Sequence, residues 1–398
     1  MPLAETVLLL ACVLGGVIAL AFAGYLAILA LAAFGYKPAA GSVAARIVVL
    51  VPAHDEAALI ARSVRSLLDQ SYPRALYEVV VIADNCSDAT AENARAAGAR
   101  VLVRDAPDSR GKGRALRWAI DRVLSEDPQP DAVAVVDADS VAERDFLRLL
   151  VQPLAAGAEA VQGESLVVDD GSAKAALRAA AFLLINRVRP AGRAALGLPC
   201  TLCGNGMLLT SGLLARTPWE AFSATEDLEY SIALRSAGVG PVYAGGAILY
   251  SSTAPNEAAT IQQQLRWEGG KLHVARTWAP RLVRRAFRER RPLLLDAAFE
   301  LAIPPLGILA GAVLTGTATS AALMAAGPLP AWALVPWLAA LAAVPIFVIA
   351  GLRAARAPRS AYAAMRQAPM FIVRKTLGAH RLLGFRADSW VRTERPDP

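Results

Sequence analysis

Two stretches without a single charged residue constrain this chain more than anything else in it. Val7 to Phe34 runs for 28 residues and Leu301 to Leu352 for 52. A bilayer core is crossed by ~20 apolar helical residues, so the first run is one span. The second is interrupted only at Gly327–Pro330, Gly-Pro-Leu-Pro, and reads as two spans joined by a tight turn. A helix buried in a soluble core rarely goes so far without a charge. A cleaved signal peptide would want a positive start and a shorter apolar core. The first six residues carry Glu5 and no Lys or Arg, which favours a retained anchor. The 55% hydrophobic composition follows from these runs.

Basic residues collect beside the spans. Lys37 and Arg46 follow the first, Arg281–Arg291 precedes the second, and Arg353–Arg359 follows the third. Loops rich in Lys and Arg stay on the cytoplasmic side, so the middle region and the C-terminus are expected inside and the Gly327–Pro330 turn outside. The formal charge of +7 is localised in the same way. Residues 353–398 hold 10 Lys and Arg against 3 Asp and Glu, and the remainder is balanced. Anionic lipid headgroups account for that distribution; no nucleic-acid partner is expected.

The expected organisation is a span at 7–34, a soluble domain at 46–277, a basic interface segment at 278–296, spans at 297–326 and 331–352, and a basic tail at 353–398. Within the tail, Ala361–Leu383 reads as an amphipathic interface segment. Cys200 and Cys203 resemble half a zinc site, but no second Cys/His pair accompanies them, so they read as small packing residues.

The soluble part alternates strand and helix. Arg46–Ala53, Tyr77–Asp84, Ala99–Arg104 and Asp131–Asp139 read as strands, with helical periodicity in Glu56–Gln70, Asn85–Gly98 and Gly113–Glu126. Continuous apolar strands between helices predict an α/β fold whose mostly parallel sheet is covered on both faces. Three strands end in polar groups: His54-Asp55-Glu56, Asp84-Asn85 and Asp137-Ala138-Asp139. Ligands of open α/β sheets bind outside the carboxyl ends of the strands. Helix capping would account for Asp88 and Ser140; it accounts less well for acids at three strand ends. Two carboxylates one residue apart can hold a divalent cation that borrows oxygens from a substrate phosphate, so a metal–diphosphate is the natural guest. There is no G-x-G-x-x-G in the first strand–helix turn and no Walker A loop. Lys112, in a Gly-flanked loop opening a helix, suits a phosphate contact or is a surface lysine.

Glu226 and Asp227 begin an amphipathic helix, where acids also complement the helix dipole. In Gln263–Trp267, Gln263 and Trp267 share a helical face. Arg266 can clamp a diphosphate and Trp267 can stack on a sugar; an interfacial Arg/Trp pair is the alternative.

Taken in order, Val51–Glu56 (VPAHDE), Ala83–Asp88 (ADNCSD), Arg110–Gly113 (RGKG), Asp137–Asp139 (DAD), Cys203–Met207 (CGNGM), Thr225–Asp227 (TED) and Gln263–Trp267 (QQLRW) resemble the membrane-embedded family 2 glycosyltransferases. These include cellulose, chitin and hyaluronan synthases and ceramide glucosyltransferase-like enzymes. The resemblance covers about Arg46 to Lys271. It implies a GT-A fold, a UDP- or GDP-sugar donor, Mg²⁺ or Mn²⁺, and inversion at the anomeric carbon. By motif, Pro52, Asp55, Glu56 and Asp84 would line base and ribose, Lys112 and Asp137 would help hold the nucleotide, and Asp139 would bind the metal. Asp227 would be the general base, with Glu226 beside it. Cys203, Gly204 and Asn205 would belong to the acceptor loop. Gln263, Arg266 and Trp267 would meet diphosphate and acceptor.

The second motif departs from the commoner double-Asp form. Three spans are also fewer than polymer-extruding synthases use, and charge-free helices offer no polar exit path. The expectation is a plasma-membrane enzyme adding one or a few sugars to a lipid-linked or membrane-proximal glycan acceptor. A processive synthase working with export or polymerisation subunits, or as an oligomer, is the alternative. A non-catalytic scaffold would be expected to have lost Asp139, Asp227 or Arg266. The charge distribution generates a test: a tag inserted at Gly327–Pro330 should be cleaved by protease added to intact cells while a C-terminal tag is protected. The opposite pattern would refute the orientation.

Overall fold

The computed structural model describes residues 3–169, 171–251 and 257–383. It divides into a sheet unit, Lys37–Val168 with Leu198–Ala302, and a helical unit, Met1–Tyr36 with Asp169–Gly197 and Ile303–Gly384. The segment Asp169–Gly197 therefore interrupts the sheet unit in sequence.

In the sheet unit, β1 (Ile47–Ala53), β2 (Tyr77–Asp84), β3 (Arg100–Arg104), β4 (Ala132–Val135), β5 (Ser140–Ala142), β6 (Ala160–Val167), β7 (Met207–Thr210) and β8 (Val242–Ser251) form one sheet in the order β3-β2-β1-β4-β7-β6-β8-β5. The first four strands run parallel. Strand β7 enters antiparallel to both β4 and β6, β6 and β8 are parallel again, and β5 closes the edge antiparallel to β8.

Strand β1 is apolar on both sides because both sides are covered. Val49 and Val51 face a core shared with Ile60, Val64 and Phe146. Val48 and Leu50 face the opposite core with Leu116, Ile120 and Trp219. The register pairs Ala53 with Ala83 and Leu50 with Val135. Sequence order 3-2-1-4 places the switch point between β1 and β4, so the polar ends of β1, β2 and β4 come side by side.

The fourth strand stops at Val135, short of the acids, and the chain resumes as β5. Carboxylates inside a sheet covered on both faces would lose their hydration without compensation, so Asp137–Asp139 forms the turn between the two. Ser140 accordingly lies in β5 and caps no helix. Asp88 lies one residue before the N-cap Ala89, and its Oδ1 accepts from Thr90 N at 2.9 Å, the first residue of the helix Thr90–Ala96.

The charge-free run at Leu301 is not helical throughout. The helix Pro292–Ala302 belongs to the sheet unit, where Leu294, Ala297 and Leu301 pack with Val274 and Leu282 of the helix Glu257–Glu289. Its acids are engaged there: Asp296 pairs with the buried Arg235, and Glu300 accepts from Thr201 Oγ1 at 2.9 Å. Prolines 304 and 305 end that helix, and the next begins at Leu306. The expected second span at 297–326 thus loses its first residues to the sheet unit.

The helical unit holds three helices long and apolar enough to cross a membrane, within Leu3–Gly35, Leu306–Ala325 and Ala331–Ala354. They meet around Trp337. A Cβ on Gly316 would lie 2.1 Å from its ring, and one on Gly16 would lie 2.9 Å away. Trp337 Nε1 donates to Cys12 O at 2.9 Å, and Cys12 Sγ lies 3.0 Å from Ser320 Oγ. Small residues let apolar helices approach where lipid offers no hydrophobic gain.

The helix Ala368–Leu377, in the region read as amphipathic, turns Phe371, Lys375 and Thr376 toward Gly307 and Gly311. It leaves Met370, Val373 and Leu377 exposed. Trp390–Arg395, at the end of the basic tail, lies outside the described residues. Filling the Trp337 notch gives a test: Gly316→Leu should lower the apparent Tm in detergent by several degrees, whereas Ala318→Leu should change it far less. Equal stability of Gly316→Leu and the parent would refute the notch.

Candidate active site

The site starts at the strand ends. Asp55 and Asn85, just beyond β1 and β2, adopt φ of 53° and 51°, a left-handed conformation that Asp and Asn tolerate better than most residues. Asp55 Oδ1 accepts from Ser87 N at 2.6 Å, and Asn85 Oδ1 accepts from Ala106 N at 2.8 Å. Glu56 N donates to Thr90 Oγ1 at 2.7 Å. Asp55 therefore ties the first strand-end loop to the second. Together with Cys86 and Asp88 it could surround an ion, but both carboxylates already accept backbone N–H bonds.

Asp84 is buried and ion-paired with Arg104. The two are register partners at the ends of β2 and β3. Arg104 also donates to Ser109 O at 2.8 Å, fixing the loop that leads to Lys112. Pro52, His54, Asp84, Asn85, Arg110 and Lys112 line one open cleft. Asp84, Pro52 and Lys112 thus line one cleft, His54 and Arg110 join them, and Arg104 stands behind as the partner of Asp84.

Lys112 gathers the acids. Its Nζ donates to Asp137 Oδ1 at 2.6 Å and to Gly204 O at 2.8 Å, and Glu226 Oε1 is 3.5 Å away. Burial alone would lower its pKa; Asp137, Glu226 and Asp227 outweigh that and hold it above the ordinary lysine value. Burial raises the Glu226 pKa, with Asp137 adding to the rise and Lys112 opposing it. Burial and the neighbouring Glu226 push Asp227 up to about 7, against the opposing pull of Lys112 and a hydrogen bond from Leu228 N. A carboxylate with that pKa can take or give a proton near neutral pH.

Three close backbone approaches shape this cluster. Gly204, at φ 72°, sits where a Cβ would be 3.0 Å from Asp227 Oδ2. Gly113 would place a Cβ 2.1 Å from Ala221 O, and Gly270 would place one 2.5 Å from Thr225 Cγ2. The second glycine of Arg110–Gly113 therefore serves packing. Gly270 brings the helix Glu257–Glu289, which carries Gln263, Arg266 and Trp267, against the residue preceding Glu226. Trp267 is exposed; Gln263 and Arg266 are half-buried.

The Cys203–Met207 loop differs from the acceptor reading at Asn205. This residue is 3% exposed. Its Oδ1 accepts from Asp137 N at 3.0 Å, and its Nδ2 donates toward Ser140, Ser165 and Ser251 Oγ at 2.9, 3.1 and 3.2 Å. An amide engaged in this way faces the fold. Cys203 N donates to Gln162 Oε1 at 2.8 Å, and Gln162 Nε2 donates to Asn205 O at 2.7 Å. Asp137 and Asp139 offer carboxylate oxygens only, hard donors of the kind Mg²⁺ and Mn²⁺ take. Asp139 is half-buried, next to a Ser140 hydroxyl 3.5 Å from its Oδ1.

A parallel half-sheet with acids at its carboxyl ends, extended by a mixed half that carries a Thr-Glu-Asp helix, is the GT-A fold of nucleotide-sugar transferases. Residues 45–270 match the family described as "Glycosyltransferase like family 2", and the chain belongs to that family. A probable glycosyltransferase of Bacillus subtilis, YdaM, is 24% identical over 58% of this chain and 56% of its own length. A beta-monoglucosyldiacylglycerol synthase of Trichormus variabilis is 39% identical over 27% of this chain and 22% of its own. The matched region thus spans about half or less of these curated relatives. The mannosyltransferase PcManGT of Pyrobaculum calidifontis, solved with GDP-Man and Mn²⁺, shares the fold with a TM-score of 0.53 at 20% identity, over 87% of this chain and 98% of that one.

The Asp227 shift carries a linked stability term. Its folded pKa lies above the ordinary value of 3.8, so the fold favours the protonated form. The stability this lends is complete below about pH 4 and is lost as pH rises through about 7. Asp227→Asn should therefore raise the apparent Tm clearly more at pH 8.5 than at pH 5. An equal shift at both pH values would contradict the assignment.

Proposed function

We propose that the protein transfers a sugar, with inversion, from a UDP- or GDP-sugar to a hydroxyl of a lipid-linked or membrane-proximal acceptor on the cytoplasmic face of the membrane. The observation that carries this reading is the convergence of Lys112, Asp137, Glu226 and Asp227 beside the cleft at the carboxyl ends of β1, β2 and β4. The membrane-proximal acceptor is supported by the three candidate spans and by the named product of the Trichormus relative, a glucosyl diacylglycerol. The GDP-Man and Mn²⁺ complex of the mannosyltransferase supports the donor class and the metal.

The nucleotide occupies the cleft between Pro52, Asp84 and Lys112. Asp227 accepts the proton of the acceptor hydroxyl while that oxygen bonds to the anomeric carbon. The bond from that carbon to the diphosphate oxygen breaks, and its electron pair leaves with the diphosphate. Glu226 keeps Asp227 basic enough near neutrality by raising its pKa. Lys112 and Arg266 supply positive charge for the leaving diphosphate. Asp139 would hold a divalent metal, which would supply further neutralising charge there. Trp267 offers a face on which an acceptor sugar can stack. Charge-free spans without a polar path favour addition of one or a few sugars over polymer export.

Detergent-purified protein, screened with UDP- and GDP-sugars and diacylglycerol or polyprenyl-phosphate acceptors, should transfer sugar only with Mn²⁺ or Mg²⁺. Asp227→Asn should reduce transfer by ~10³-fold or more while donor affinity stays within a few-fold, since a base acts on the acceptor. Loss of donor binding in step with rate would move Asp227 to a nucleotide-holding role. Transfer that survives a chelator would remove the metal.

A further inference from the structure

From the hydrogen bonds of the buried amide we infer that Asn205 is the positioning residue of the Asp137–Asp139 turn, fixing the carboxylate that takes the divalent metal. The inference rests on the proposed role of Asp139 as metal ligand.

Within the turn Ser140 N donates to Asp137 O at 3.0 Å, and Lys112 pairs with the Asp137 carboxylate; what ties both of its ends to the sheet is Asn205. Strand β4 ends at Val135 and β5 begins at Ser140 on the far edge of the sheet, so the segment between them leaves one ladder and joins another. Asn205 spans that gap. Its Oδ1 receives the Asp137 N–H at the start of the turn, and its Nδ2 reaches the Ser140 hydroxyl at the end. The same Nδ2 is anchored from behind by Ser165 on β6 and Ser251 on β8. One side chain thus refers both ends of the turn to two strands that do not touch the cleft. The main chain at Asn205 is itself fixed. Gly204 O accepts from Lys112 Nζ, Asn205 O accepts from Gln162 Nε2, and Gly206 N donates to Val135 O at 2.9 Å.

The chemistry asks for an amide. The site needs an acceptor toward a backbone N–H and donors toward hydroxyls on the same planar group, which Asn supplies and an aliphatic or hydroxyl side chain of that size does not. Groups that orient a metal ligand without touching the metal typically carry 10–100-fold of metal affinity.

The test measures Mn²⁺ binding to full-length, detergent-purified protein with saturating UDP or GDP. Free Mn²⁺ is followed by its electron paramagnetic resonance signal and thermal unfolding is recorded alongside. Three variants are compared with the parent. Asp139→Ala should abolish nucleotide-dependent Mn²⁺ binding. Asn205→Ala should weaken it at least tenfold. Ser165→Ala, which removes only a rear anchor of the amide, should weaken it a few-fold with little change in Tm and so decides the matter if Asn205→Ala folds poorly. Unchanged Mn²⁺ affinity in Asn205→Ala and Ser165→Ala, with Asp139→Ala inactive in binding, would overturn the inference and leave the function standing. Unchanged Mn²⁺ affinity in Asp139→Ala would overturn the metal reading and the inference with it.

Discussion

The site depends on one ammonium group. Lys112 Nζ meets Asp137 and the carbonyl of Gly204 and stands 3.5 Å from Glu226. Without it, Glu226 and Asp227 would lose the charge that opposes their burial, and both would favour proton uptake more strongly. With it, proton affinity is uneven across the cluster. Lys112 opposes the rise at both Glu226 and Asp227, and Asp227 still reaches about 7. The ammonium is in turn held in place by packing. Gly113 fits beneath Ala221, and Gly204 and Gly270 close around Thr225 and Asp227. Electrostatics and backbone contact specify the same arrangement.

Much of the parallel half of the fold was legible in the residues. Strands buried on both faces must be apolar throughout, so Ile47–Ala53 and Tyr77–Asp84 announce themselves, as do the acids that terminate them. The ion pair of Asp84 with Arg104 was within reach too. Parallel strands ending in Asp and in Arg at matching register place opposite charges together. The mixed half was less legible, because β5 and β7 are only three and four residues long and such short segments carry no periodicity.

Two misreadings share a cause: composition does not say what a residue faces. Apolar residues such as Ala297, Ala298 and Leu301 read the same whether lipid or the Glu257–Glu289 helix covers them; Glu300 among them and the proline pair after Ile303 were the signs that the span would start later. Asn205, in a glycine-flanked loop among functional motifs, looked like a residue aimed at ligand. Its actual direction is set by three serines that are distant in sequence, and no local pattern announces them. Helix Glu257–Glu289 shows the reverse. Gly269 and Gly270 follow Trp267 after a single residue, and a glycine pair inside a long helix usually marks a close approach to another segment. That segment is the one bearing Glu226 and Asp227.

The contributors to the Lys112 cluster enter the chain far apart and in a fixed order: the ammonium first, then Asp137, then Gly204, and last Glu226 with Asp227. A ribosome lengthens the chain by only ~5–20 residues per second, so for seconds the nascent domain holds Lys112 and Asp137 without the two buried carboxylates that later share the ammonium. The cluster closes only when the helix that begins at Glu226 docks, long after the cleft residues Pro52 to Lys112 have been made.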